Sequence, residues 1–138
     1  MVRNSPCNFP GDDMSAVILV IEDDLASLDL VSYLLGHKGY EVHRAENGKQ
    51  GLQVVRSLQP APDLILTDNQ MPELNGYEFL EALRSEPALS HITVVAISAF
   101  SMRGDKQKIL ASGFDGYVSK PIDPEQFVSQ VEYWLPAR

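Results

Sequence analysis

The chain predicts one α/β domain, five βα units wound around a parallel sheet, and three observations carry that prediction. From Ala16 onward, short apolar runs of strand length alternate with segments whose apolar residues recur every three or four positions. The central runs are apolar on both faces, as a sheet covered on both sides requires. A length of 138 residues gives room for one core and not for two.

Residues 1–15 contain two prolines, Gly11, Asp12 and Asp13 without apolar periodicity, so they read as a flexible N-terminal extension to a domain over 16–138. Met14 is a candidate original start. The strands are expected at Val17–Ile21, Glu41–Ala45, Leu64–Thr67, Thr93–Ser98 and Gly116–Val118. The first helix runs from about Asp24, its N-cap, to His37, with Leu25, Leu28, Val31, Leu34 and Leu35 as one stripe and Gly39 as the left-handed stop. The second opens near Asn47, carries Leu52, Val55 and Leu58, and cannot pass Pro60 and Pro62. Asn75 caps the third, which buries Phe79, Leu80 and Leu83 and ends before Pro87. The fourth spans about Ser101 to Ser112, stops at Gly113 and has only Met102, Ile109 and Leu110 as anchors, so it is the least firmly docked. The fifth has Asp123 as cap, Pro124 at its first position and Gln126 as the partner of a capping box, then Phe127, Val128, Val131 and Trp134.

Composition narrows the function classes. Hydrophobic residues at 44% and charged residues at 22% exclude a disordered or fibrous chain. Eleven Lys and Arg against nineteen Asp and Glu give a net charge of -8, and no basic run exists to neutralise nucleic-acid phosphates. The longest apolar runs, Ala16–Ile21 and Ile92–Ile97, are far shorter than the roughly twenty residues of a membrane span. No secretory signal is recognisable, so the cytoplasm is the expected compartment. Cys7 has no partner for a disulfide or a metal site. His37, His43 and His91 share no ligand spacing and read as surface or loop residues.

Ligands of an open parallel sheet bind at the carboxyl ends of its strands, where loops and helix N-termini converge. Here the first strand ends in Glu22, Asp23 and Asp24, the third in Asp68, the fourth in Ser98 and Ala99, and the fifth in Ser119 and Lys120. Carboxylates crowded on one rim repel unless a cation lies between them. Mg²⁺ suits them, since it takes oxygen ligands and keeps several waters.

The stretches ILVIEDD (Ile18 to Asp24), PDLILTDNQMPELNG (Pro62 to Gly76), VVAISAF (Val94 to Phe100) and GYVSKPI (Gly116 to Ile122) strongly resemble the receiver domain of two-component response regulators, the CheY-like superfamily. The resemblance covers Ala16 to about Leu135 and extends to DivK-like single-domain receivers and to receivers attached to hybrid kinases. It implies a flavodoxin-like doubly wound sheet of strand order 2-1-3-4-5. Asp68 would be the phosphoryl acceptor, a carboxylate nucleophile toward a phosphohistidine. Asp23 would hold Mg²⁺ directly, Glu22 through a metal-bound water, and Gln70 would offer its main-chain carbonyl. Lys120 and Ser98 would meet the phosphoryl oxygens, supplying charge and a hydroxyl to a transfer that depends on positioning and charge neutralisation. Ser98 and Tyr117 would form the switch, acting on the face built by the fourth helix, fifth strand and fifth helix. The implied partners are a histidine kinase or histidine phosphotransfer protein and a downstream protein, with no nucleic acid or membrane, the chain being a monomer or weak dimer. It would catalyse only its own phosphorylation and dephosphorylation.

Blander readings compete. Asp24 is a helix cap, Trp134 a core residue of the helix face, and Tyr117 plain packing is an open alternative. Gln70 and Phe100, two residues past Asp68 and Ser98, could tune the lifetime of the acyl phosphate. Glu22 for Asp and Ser98 for Thr are mild departures from the commonest family pattern. An aspartyl phosphatase of the haloacid-dehalogenase type wants a second acid where Gln70 stands. A receiver-like scaffold that works without phosphorylation would not need Asp23, Asp68, Ser98 and Lys120 together. A nucleotide fold would need a glycine-rich loop after the first strand. A stand-alone protein is favoured over a receiver cut from a hybrid kinase.

Overall fold

The computed structural model describes residues 16–58, 61–68, 76–98, 107, 109–119 and 122–135. Strands β1 (Val17–Ile21), β2 (Glu41–Ala45), β3 (Leu64–Asp68), β4 (Thr93–Ser98) and β5 (Gly116–Ser119) form one parallel sheet in the order β2-β1-β3-β4-β5. The helices are α1 (Leu25–His37), α2 (Gly48–Ser57), α3 (Gly76–Arg84), α4, described at residues 107 and 109–111, and α5 (Pro124–Glu132). β3 and β5 each run one residue further than the alternation of the sequence suggested, because Asp68 and Ser119 still pair with the neighbouring strand.

Helices cover both faces, and strand alternation divides the core accordingly. Leu19, Ile21, Ile65, Val94 and Ala96 turn toward α2 and α3 and meet Leu52, Val55, Phe79, Leu80 and Leu83. Ile18, Val20, Leu64, Leu66, Val95 and Ile97 turn the other way, onto Leu28, Val31 and Leu35 of α1 and Phe127 and Val131 of α5. Each fully buried Leu, Ile or Phe contributes about 1.5–3 kcal/mol, so the middle strands are held firmly. Leu25 does not join its expected stripe: it is 55% exposed, because the first turn of α1 projects beyond the strand ends. Leu110 is likewise exposed, leaving Ile109 as the buried residue of the described part of α4. Trp134 lies past the end of α5, not on its helical face.

The expected caps are partly seen. Asn47 accepts the Gln50 amide and Asp123 the Glu125 amide, each relieving an orphan donor of its helix. Asp24 occupies the N-cap of α1, yet its carboxylate accepts from the Ser27 hydroxyl at 2.8 Å and takes no helix amide. Gly39 and Gly113 have φ of 103° and 109°, the left-handed stops expected after α1 and α4. Asn75 and Met102 lie outside the described residues.

Two carboxylates close the amino end of the sheet. Asp63 precedes β3; its amide donates to Val17 O and its carboxylate accepts from Val17 N, both at 2.8 Å. Asp115 precedes β5 and does the same with Val94, again at 2.8 Å both ways. Arg84, in the last turn of α3, donates to Asp115 and to the carbonyls of Ser90 and Ile92. Charges on the β2 edge, including the Arg44–Asp29 pair, blunt strand addition there. Among the described residues, no helix is long and apolar enough to cross a membrane.

Candidate functional site at the carboxyl edge of the sheet

Register explains how distant residues meet. Ile21 pairs with Thr67, so the next residues, Glu22 and Asp68, emerge side by side at the carboxyl edge. Asp23 follows in the turn that opens α1. Ligand oxygens of Glu22, Asp23 and Asp68 all lie within 4.8 Å of one another. Glu22 and Asp68 are buried, at 1% and 7% exposure, while Asp23 is exposed. Glu22 is fixed at both ends, its amide donating to Ala45 O at 3.0 Å and its carboxylate accepting from Asp24 N at 3.1 Å. Beneath the cluster, Thr67 is fully buried and donates its hydroxyl to Asp68 O.

Two full charges 4–5 Å apart repel by about 3–4 kcal/mol at an effective dielectric near 20. Three carboxylates in this space therefore favour a bound cation. Their hard oxygens fit Mg²⁺, which bonds oxygen at about 2.0–2.1 Å and tolerates a site completed by water.

Asp68 pairs with Ile97 across β3 and β4, placing Ser98 one residue beyond, and Ser98 pairs in turn with Ser119. The backbone of Ser98 is thus at the same edge; its side chain, and all of Lys120, Gln70 and Phe100, lie outside the described residues. Tyr117 is half-buried on β5 and packs against the α2–α3 cluster. The sequence did not announce that the Trp134 indole lies on Gly116, which a Cβ there would strike. A glycine opening an edge strand was the available signal.

The sequence model of the response regulator receiver domain matches residues 18–132. The chain belongs to this family. Among receiver-family relatives, it is 36% identical over 122 residues to the polar-differentiation response regulator DivK of Brucella anthropi, covering 88% of this chain and 98% of that protein. The DivK of Brucella suis is 35% identical over the same length. The chemotaxis response regulator CheY4 of Vibrio cholerae superposes with a TM-score of 0.81 at 27% identity, covering 88% of this chain and all of that one. The signal receiver domain of a Syntrophus aciditrophicus signal transduction histidine kinase gives 0.77 at 28% identity, over 88% and 90% of the two chains. The expected CheY-like fold and the receiver assignment both hold.

Proposed function

We propose that Asp68 is the phosphoacceptor of this receiver, taking a phosphoryl group from a phosphohistidine on a histidine kinase or phosphotransfer protein. A carboxylate oxygen of Asp68 bonds to phosphorus, the P–N bond breaks, and its electron pair stays on the imidazole, which takes up a proton. The supporting observation is the convergence of Glu22, Asp23 and Asp68 at the carboxyl edge of a receiver-family sheet. Asp23 and Asp68 would hold Mg²⁺ with the Gln70 carbonyl, and Glu22 through water. When bound, the ion neutralises charge that accumulates on the phosphoryl oxygens. Lys120 and Ser98 face those oxygens in the same reading, and Ser98 with Tyr117 relays the new charge to the α4–β5–α5 face, where a downstream protein docks. The domain occupies 16–138, with residues 1–15 as an N-terminal extension, and works in the cytoplasm, with no substrate beyond its own phosphoryl group.

Incubation with acetyl phosphate, with and without Mg²⁺, tests this by intact mass. One phosphoryl adduct that requires both Mg²⁺ and Asp68 is expected, and Asp68→Asn abolishes it. A folded wild type that takes no adduct from acetyl phosphate or from a phosphorylated phosphotransfer domain overturns the reading.

A further inference from the structure

Trp134 sits in the turn after α5 with its indole against the bare backbone of Gly116. A Cβ at Gly116 would stand 2.4 Å from Cζ2, 2.6 Å from Cε2 and 2.7 Å from Nε1, far inside contact distance. The ring is held from behind as well, meeting Tyr133 edge-on at 5.6 Å between centroids and 90° between planes. It packs against the α1–α5 side of the core. Tyr117, the next residue of β5, goes to the opposite face by strand alternation and packs on the α2–α3 side. β5 is an edge strand, with one border unpaired in the sheet. The Trp134 and Tyr117 rings wall one groove of about 390 Å³ with Ser129, Gln130 and Tyr133.

We propose that Trp134 is a positioning residue for Tyr117: anchored on Gly116, its indole forms the outer wall that favours the resting placement of Tyr117 and loses that neighbour when Tyr117 turns toward Asp68. The inference rests on the phosphoacceptor reading above. A wall that contacts one placement and not the other biases the equilibrium between them, which is all a two-state switch requires. Because the two rings line one groove, the indole can also serve as a reporter, and the chain has one tryptophan.

The full chain is treated with acetyl phosphate and Mg²⁺ while Trp134 emission, acrylamide quenching and intact mass are followed together. Emission moves to longer wavelength and quenching rises in proportion to the adduct, and both stay at their resting values in Asp68→Asn. In Tyr117→Ala, emission does not respond to whatever adduct the mass records. Fluorotyrosine NMR supplies the second arm: Trp134→Ala shifts the resting Tyr117 signal toward its phosphorylated position, and Trp134→Phe restores it. A full adduct with unchanged emission, a Tyr117→Ala variant that keeps the wild-type response, or a Tyr117 signal indifferent to Trp134→Ala overturns the proposal. Absence of any adduct on the folded wild type overturns the phosphoacceptor reading and the coupling falls with it, an outcome the mass measurement separates from the others.

Discussion

At the amino end of the sheet, Asp63 and Asp115 each accept an amide from the neighbouring strand, and Glu86 and Glu132 each receive a donor, from Arg56 and Tyr40. At the carboxyl end, Glu22, Asp23 and Asp68 face one another within 4.8 Å. One residue chemistry thus has two energetic signs in a single domain. A carboxylate matched to a backbone N–H gains a charge-assisted hydrogen bond, whereas carboxylates gathered on one rim repel and become useful only when a cation or phosphoryl chemistry engages them. On the phosphoacceptor reading, stability is built at one end and reactivity at the other, so substitutions at the two ends should separate the properties.

The largest separation is expected at Asp68. Asp68→Asn should lose phosphoryl uptake altogether without loss of stability in urea unfolding, because one of three crowded carboxylate charges is removed. A destabilised Asp68→Asn variant would break the comparison. Mg²⁺ comes next. At a hundred times its dissociation constant it should stabilise the wild type by about 2.7 kcal/mol, and Asp23→Asn should lose most of that gain whereas Asp115→Asn keeps it. Asp115→Ala should cost about 2 kcal/mol, since it orphans the amide of the buried Val94 and removes an Arg84 partner. Asp63→Ala should likewise destabilise, by about 1–2 kcal/mol, since it orphans the Val17 amide, and both variants should take up phosphoryl groups like the wild type.

This division also decides what could be read in the sequence. The carboxyl end was legible because each acid closes an apolar run, and register then carries the residues together: Ile21 opposite Thr67 puts Glu22 beside Asp68. Strands and most helices were legible for a related reason, as burial on two faces forces apolar runs and on one face forces a stripe. The amino-end clasps were not. An Asp before a strand looks like any turn residue until the neighbouring strand supplies its N–H. Leu25 misled because periodicity counts apolar positions but not how far the sheet extends beneath them. The Trp134 contact depends on where the chain turns after α5, a tertiary matter that no local pattern encodes.

The smallest effect sharpens the account of the amino end by pH. Tyr40, just before β2, donates to Glu132 in the last turn of α5 at 2.5 Å. Burial first, then this hydrogen bond and the Glu132 charge, push the phenol from its ordinary value near 10 up to about 12. A group whose folded value is raised stabilises fully below its unfolded value and loses that contribution as pH climbs through the folded one. The stability difference between wild type and Tyr40→Phe should therefore be flat to about pH 10 and shrink between 10 and 12. Glu86 gives the opposite sign. The Arg56 hydrogen bond holds its carboxyl below the usual range, so Glu86→Gln should differ from wild type above that range and converge with it in acid. A Tyr40→Phe difference that stayed constant to pH 12 would mean that Glu132 is oriented by α5 alone, and that this end of the molecule pairs its acids only through backbone amides and arginines.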